Sequence, residues 1–395
     1  MATLDHSPLP RIPRSKQNDY EESIVIDRRE LCEKIAGRPL PHLSGQPVPL
    51  ESARNKVENL IGYAQVPVGI AGPMIVHTTK GRREIYIPMA TTEGALVASH
   101  SRGMRLLNCG GGARSRVIRE GYTQNPILVY ANAEEAMKGA DTVRNIFDEL
   151  AEIVSQSTTH GRLVSAEPQV LGRRLVLALV FTTGDAIGSN MGAKAAERCS
   201  AHIAEKTLAM ERFVHGQDVE KRANSRALVE GRGRSTVCDV TIPRDELEKM
   251  TRTTPEQMRS ILNSYLVGFA HLGTHNWTVQ AANGLAAVLT ACGQDIAYVT
   301  ECATGFLDLE VTKAGDLYAS VYLPSLLIGT VGGGCDQGTA AECLDILGVR
   351  GEGGSNTFAE ILAATVLAGD LSILAAFSTH EFTEAHERLG KNRPQ

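Results

Sequence analysis

Short apolar runs broken by glycine or proline alternate along this chain with longer stretches of small residues, a rhythm of strands and helices without repeats or low-complexity tracts. The first fifty residues are peripheral in character: a proline- and charge-rich arm, a helical stretch near 27–36, and a Pro/Gly loop to Pro49. From Lys56 the pattern changes. Segment 66–74 is apolar but carries Pro67, Gly69, Gly72 and Pro73, which excludes a long helix and predicts a loop followed by a strand. A short strand is expected over 84–88 and a helix over 94–108. Two β-rich runs, 126–130 and 175–181, flank a helix over 133–156, and a long helix follows over 190–213. This block reads as a small α+β unit inserted in a larger domain. Beyond it the pattern predicts a strand over 235–242, a helix over 255–266, a strand over 318–328 and a small-residue helix over 358–376. Segment 279–292 is alanine-rich and apolar on nearly every face, so it is expected to be a buried central helix.

Composition narrows the class. The 395 residues suggest two or three domains and a core that needs no disulfide or metal staples. Glycine, at 38 residues, is well above the usual ~7%, which points to sharp turns or close backbone approaches. A net charge of −5 gives no electrostatic footprint for nucleic acid. The eight cysteines form no CxxC pair, so no metal site is expected; they read as free thiols in a reducing compartment. No apolar run approaches the ~20 residues of a membrane span, and the polar N-terminus lacks a signal sequence, so a soluble, cytoplasmic protein without membrane partners is expected.

Several segments carry residue types suited to chemistry. Thr91-Thr92-Glu93-Gly94 precedes a predicted helix, and its threonines fit helix capping as well as a reactive carboxylate. Gly184 to Gly192 contains Asp185, Gly188, Asn190 and Met191 directly after an apolar strand; a glycine turn leading into a helix N-terminus can cradle an anion. The run Gly332-Gly333-Gly334 after another strand allows close backbone approach or a plain turn. Asp295 ends the apolar 279–292 segment, where a carboxylate needs a cationic partner. Lys221, within Glu220-Lys221-Arg222, could supply one or be a solvated loop charge. The C-terminal tail carries His380 and His386, either exposed residues or acid/base groups on a closing segment.

In combination, Glu58 to Tyr63 with Val66 to Pro73, Thr91 to Ser99, Gly184 to Met191, Glu230 to Gly233, Gly293-Gln294-Asp295 and Ile328 to Gly334 resemble the 3-hydroxy-3-methylglutaryl-CoA (HMG-CoA) reductase family, over most of the chain from about Lys56 to His386. The resemblance implies an α+β fold: a large domain built around a buried central helix, with an inserted small ferredoxin-like cofactor domain. In this chain it implies an N-terminal helical arm over 1–50, the large CoA/substrate domain over 51–125 and 214–377, the nicotinamide-cofactor domain over 126–213, and a C-terminal flap over 378–395. It further implies catalytic Glu93, Lys221, Asp295 and His386, the last preferred to His380 because it lies seventeen residues after Gly369. Cofactor positions are Asp185, Gly188, Asn190, Met191, Gly332 and Gly333; substrate positions are Glu220, Arg222 and Asn283. The implied reaction is a two-step reduction of an acyl-CoA thioester with NADPH (NADH being the other possibility), and the implied assembly is a homodimer or larger, with active sites between subunits. In this scheme Lys221 stabilises an oxyanion, Asp295 holds Lys221 and raises the pKa of Glu93 by proximity, and His386 protonates the departing CoA thiolate.

The chain departs from the family pattern at several positions. Gln124 and Ser264 stand where the family usually has cations serving the distal carboxylate of the HMG group. Arg222 replaces a lysine, Glu220 an aspartate, and Glu301 a neutral polar residue, while Gln280 stands where many members place a histidine. Beside HMG-CoA reduction, these departures leave two alternatives: reduction of an acyl thioester, CoA- or carrier-bound, lacking that carboxylate, and a silent paralogue with a binding role.

Overall fold

The computed structural model describes residues 8–15, 18–158, 160–215 and 220–379. Among them eleven strands form one sheet in a mixed α+β architecture. They are β1 (Val68–Thr78), β2 (Gly81–Ala90), β3 (Ala113–Gln124), β4 (Ile127–Val129), β5 (Leu163–Leu171), β6 (Arg174–Phe181), β7 (Glu211–Phe213), β8 (Gly233–Ile242), β9 (Asn276–Trp277), β10 (Gly305–Val311) and β11 (Leu317–Leu326). The main order is β7-β4-β6-β3-β8-β11-β10-β9, with β1 and β2 joined beside β3 and β5 beside β6.

Strand β3 is the structural seam. Its first part, Arg114 to Gly121, pairs antiparallel with β8, and its last three residues, Tyr122 to Gln124, pair with β6. Two hydrophobic clusters lie on either side of this seam. The smaller gathers Leu128, Leu177, Phe181 and Ile203 beneath helices Ala133–Asn145, Phe147–Ser155 and Ser189–Lys206. The larger surrounds helix Ser355–Ser378, which packs against helices Leu96–Cys109, Ala281–Ala291 and Pro255–Leu272.

Several elements differ from the sequence expectation, each for a local reason. The helix over 133–156 is two helices, because Ile146 leaves helical geometry (φ −107°, ψ 20°). The helix expected to reach 213 stops at Lys206, since Thr207 is extended and its hydroxyl donates to the Ile203 carbonyl; residues 211–213 instead pair with β4. Strand β3 was not expected, as its arginines mask the alternation, and β5 is an edge strand interrupted by Pro168. Thr91 and Thr92 do not cap a helix: the helix begins at Leu96 after Ala95, which sits in the left-handed region (φ 68°) without a side-chain cap. Helix Ala281–Ala291 is buried over most of its length, and among the described residues Ser355–Ser378 is longer and more deeply buried.

Helix Ser355–Ser378, at 24 residues, is also long and apolar enough by composition to cross a membrane, contrary to the expectation that no such run exists. Here it is the core of the larger cluster. Its two buried carboxylates are satisfied by hydrogen bonds: Glu360 accepts from the Thr79 N–H at 3.0 Å and the Thr79 hydroxyl at 2.5 Å, and Asp370 from the Gln280 N–H at 2.8 Å and the Val279 N–H at 3.2 Å. Asp370 thereby tethers this helix to the N-terminus of Ala281–Ala291, where a negative charge also complements the helix dipole. Burial pushes the Asp370 carboxyl up to about 7, against those two hydrogen bonds.

Close packing here depends on Gly103, where an added Cβ would lie 1.7 Å from the Ala368 carbonyl oxygen. Gly103→Ala is expected to cost about 3 kcal/mol, at the upper end of overpacking penalties, through separation of the two helices. Gly268, in the interior of Pro255–Leu272, has open space around the same position. Gly268→Ala is expected to raise stability by up to about 1 kcal/mol. Urea denaturation of both variants checks the pair; equal effects would contradict this packing.

Candidate active site

The motif Glu230-Gly231-Arg232-Gly233-Arg234 opens the site. Both glycines have positive φ, 72° and 86°, and a Cβ on either would meet a β11 carbonyl oxygen at 2.5 Å, that of Pro324 or of Leu326. The backbone can therefore press onto the end of β11, which buries the two arginines between them at 2% exposure each.

Arg232 is held from several sides. Its Nη1 donates to Glu301 Oε1 at 2.9 Å, its Nη2 to the Tyr122 hydroxyl at 2.6 Å, and its Nε to the Thr123 carbonyl at 3.1 Å. The guanidinium also lies 4.3 Å from the centroid of the Tyr122 ring. Glu301 is fully buried; burial pushes its carboxyl up, and Arg232 and the Lys221 N–H oppose that shift.

Glu301 also accepts a hydrogen bond from the backbone N–H of Lys221. Lys221 is a non-glycine residue in the left-handed region (φ 57°). Its Nζ lies 2.8 Å from Asp295 Oδ2 and 5.0 Å from the Tyr298 ring centroid. Asp295 divides its oxygens: Oδ2 takes the ammonium, and Oδ1 accepts from the Ala297 N–H at 3.1 Å, capping the short turn Ile296–Tyr298. The hydrogen bond that Lys221 donates to Asp295 raises the Lys221 pKa against a smaller cost of burial. Tyr298 donates its hydroxyl to Glu220. A half-exposed ammonium, fixed beside a carboxylate and over an aromatic ring, is a donor suited to developing negative charge.

The second half of the site is glycine-lined. Gly188 (φ 92°) precedes helix Ser189–Lys206, so Asn190 and Met191 fall in its first turn, where backbone N–H groups point outward. Gly332 (φ 72°) and Gly333 (φ 57°) form an open turn. The two loops touch, because the Thr330 N–H donates to the Asp185 carbonyl at 2.8 Å. The Asp185 carboxylate is used within the protein, accepting from the Gly353 N–H at 2.6 Å and from the Ser355 N–H and hydroxyl at 3.0 and 2.6 Å. Burial disfavours its charge, but these bonds hold its pKa below the ordinary value. A helix N-terminus beside an unobstructed glycine turn fits a phosphate-bearing nucleotide. This helix reaches the first half through Gly192, where an added Cβ would lie 2.8 Å from the Tyr122 ring.

The structure thus brings Lys221, Asp295 and Glu220 together, and brings the loop of Asp185, Gly188, Asn190 and Met191 beside that of Gly332 and Gly333. Glu93 is elsewhere. It lines a cleft of about 570 Å³ with Arg14, Arg28, Arg29 and Tyr20, and among the described residues its carboxylate makes no hydrogen bond or ion pair. Its backbone N–H donates to Thr91 Oγ1 at 3.0 Å. Arg222 and Asn283 are exposed, Asn283 in the first turn of Ala281–Ala291. His380 and His386 lie outside the described residues.

Of the departing positions, Gln124 is buried and its Nε2 donates to the Tyr122 hydroxyl at 3.2 Å, while Ser264 lies on the exposed side of its helix, its hydroxyl donating to the Ser260 carbonyl at 3.1 Å. Gln280 is buried and donates to the Gly369 carbonyl. Sequence reasoning assigned no role to Tyr122, Arg232 or Tyr298. The spacing of Asp295, Tyr298 and Glu301, three residues apart, was the available signal, since successive tight helical turns stack such residues on one side.

The family model for hydroxymethylglutaryl-coenzyme A reductase matches residues 24–391. The 3-hydroxy-3-methylglutaryl-coenzyme A reductase of Methanothermobacter thermautotrophicus is 37% identical over 96% of this chain and 97% of that protein. That of Haloferax volcanii is 39% identical over 92% of both. A class II 3-hydroxy-3-methylglutaryl-CoA reductase from Streptococcus pneumoniae, solved bound to NADPH in open conformations, superposes with a TM-score of 0.74 at 17% identity, covering 91% of this chain and 98% of that one. With matches of this extent on a mixed α+β fold, the chain belongs to the hydroxymethylglutaryl-coenzyme A reductase family.

Proposed function

We propose that the protein reduces HMG-CoA to mevalonate and free CoA, consuming two NADPH and two protons per turnover. The observation that carries this reading is the 2.8 Å Lys221–Asp295 pair, fixed beside two touching glycine loops. NADPH, when bound, supplies the hydrides. Asn190, Met191 and Gly188 would hold it at the helix N-terminus, with Gly332 and Gly333 alongside.

The chain's own residues then manage charge and protons. Lys221 Nζ donates to the thioester carbonyl oxygen as it becomes an oxyanion, and Asp295 keeps the lysine protonated. Glu93 donates a proton to the carbonyl oxygen during reduction of the aldehyde. His386, in the segment 378–395 read as the C-terminal flap, protonates the CoA thiolate as it leaves. Because the cleft that Glu93 lines includes neither Lys221 nor Asp295, the reading has the active site formed between two subunits of a homodimer or larger assembly. It also takes 126–213 as a ferredoxin-like cofactor domain inserted between 51–125 and 214–377, 1–50 as a helical arm, and the cytoplasm as the protein's location.

A second reading rests on Gln124 and Ser264. The former is buried against Tyr122, and the latter bonds the Ser260 carbonyl on the exposed side of its helix, so neither offers a positive charge to a distal carboxylate. An acyl thioester without that carboxylate would then be the substrate. Turnover of purified protein with NADPH across a panel of acyl-CoAs decides between the two. HMG-CoA as the best substrate, with two cofactor molecules oxidised per mevalonate, is the expected result; preference for an uncharged acyl chain favours the second reading, and oxidation with none of them would sink both.

Two variants probe the roles. Asp295→Asn is expected to lower the Lys221 pKa, since the hydrogen bond that raises it is weakened, and to reduce kcat by about a hundredfold or more. Competitive acetylation of Lys221 and steady-state kinetics read the two effects. Glu93→Gln and Lys221→Ala are each expected to retain only trace turnover alone. Mixed and reassembled, they should recover roughly a quarter of wild-type activity, because half the dimers are hybrid and each hybrid has one intact site. No recovery in verified hybrids would place Glu93 and Lys221 in the same subunit's site.

A further inference from the structure

Glu301 is a carboxylate with 0% exposure, on the short helix Val299–Cys302 that follows Asp295. It binds two groups that belong to different segments. One is the guanidinium of Arg232, at the root of β8; the other is the backbone N–H of Lys221, on the loop that precedes helix Ser225–Val229. A side chain that served only to neutralise Arg232 would have no need to reach the lysine backbone. Lys221 occupies left-handed geometry at φ 57°, which a residue with a Cβ keeps only when its surroundings hold it there. That geometry aims Nζ at Asp295 and over the Tyr298 ring.

We propose that Glu301 is the positioning residue for Lys221: its buried carboxylate fixes the lysine backbone and so sets where the ammonium meets the substrate oxygen. The proposal rests on the reading of Lys221 as oxyanion donor given above. Arg232 has the complementary role of keeping Glu301 ionised and oriented, because an ionised acceptor makes the stronger hydrogen bond to the lysine N–H. Tyr298, in the turn between Asp295 and Glu301, supplies the ring that limits where Nζ can go. The charged and titratable groups facing Lys221 are Asp295, Glu220, Glu301 and Tyr298.

Glu301→Asp is the informative change. It retains the charge for Arg232 but is one methylene shorter, so it cannot reach both partners. The expected result is a folded protein with KM for the acyl-CoA within about threefold of wild type and kcat reduced by roughly tenfold or more. In a Lys221→Ala background the same substitution should have no further effect on residual turnover, because a residue acting through Lys221 has nothing left to position. Competitive acetylation should report a lower Lys221 pKa in Glu301→Asp, as Nζ drifts from Asp295. Glu301→Gln, which keeps the length, is the second variant and should retain more kcat than Glu301→Asp. Additive losses with Lys221→Ala, or an unchanged Lys221 pKa together with unchanged kcat, would overturn the proposal. Wild-type protein that oxidises no NADPH with any acyl-CoA would overturn the functional reading instead, while the acetylation result would still decide whether Glu301 positions Lys221.

Discussion

A charge buried without compensation is among the least tolerable features a fold can contain, and Arg232 is such a charge made tolerable. Its guanidinium is met by the Glu301 carboxylate, the Tyr122 hydroxyl, the Thr123 carbonyl and the Tyr122 ring. Removing one member of a buried pair typically costs about 3–5 kcal/mol, so these partners cannot drift independently. Because they sit on β3 and on the helix after Asp295, and Arg232 itself at the root of β8, satisfying one cation fixes three segments at a single point. Lys221 joins them through its backbone and Asp295 through Lys221.

The neighbouring Arg234 does for the glycine loops what Arg232 does for the lysine loop. It donates to the Ile328 carbonyl at 3.0 Å and to the Ser355 hydroxyl at 2.7 Å, and it also engages the Gly184 carbonyl. Asp185 binds the same Ser355, so the loop preceding Gly188 is fastened to the N-terminus of the core helix. Two arginines two residues apart, separated by one glycine, therefore organise the two halves of the site. Tyr122 links them, with Arg232 on its hydroxyl and the helix bearing Asn190 and Met191 packed at Gly192 against its ring.

Much of this was legible in the sequence, and the unread parts share a cause. Apolar runs such as 175–181 and small-residue stretches such as 358–376 announce their elements, because burial requires those residue types. Strand β3 was not legible: its arginines at 114, 116 and 119 hide a register fixed by β8 rather than by its own alternation. The end of the helix at Lys206 depends on Thr207 meeting Tyr130, a contact 77 residues away in sequence that no local pattern encodes. Among site residues, Lys221 and Asp295 were readable as a cation and a carboxylate in need of each other. Tyr122 and Arg232 were not, because their roles come from a pairing between strands and from glycine-permitted burial. Glu301 stood out as a departure from the family pattern, but only geometry connects it to the lysine backbone.

The central claim is that this buried cluster delivers the Lys221 ammonium to the carbonyl oxygen that becomes negatively charged. The most direct measurement is a crystal structure of the assembled protein with HMG-CoA bound. The account predicts Lys221 Nζ within about 2.7–3.1 Å of the thioester carbonyl oxygen, still paired with Asp295 and with its N–H on Glu301. A thioester oxygen held by another donor, with Lys221 turned to solvent, would contradict it.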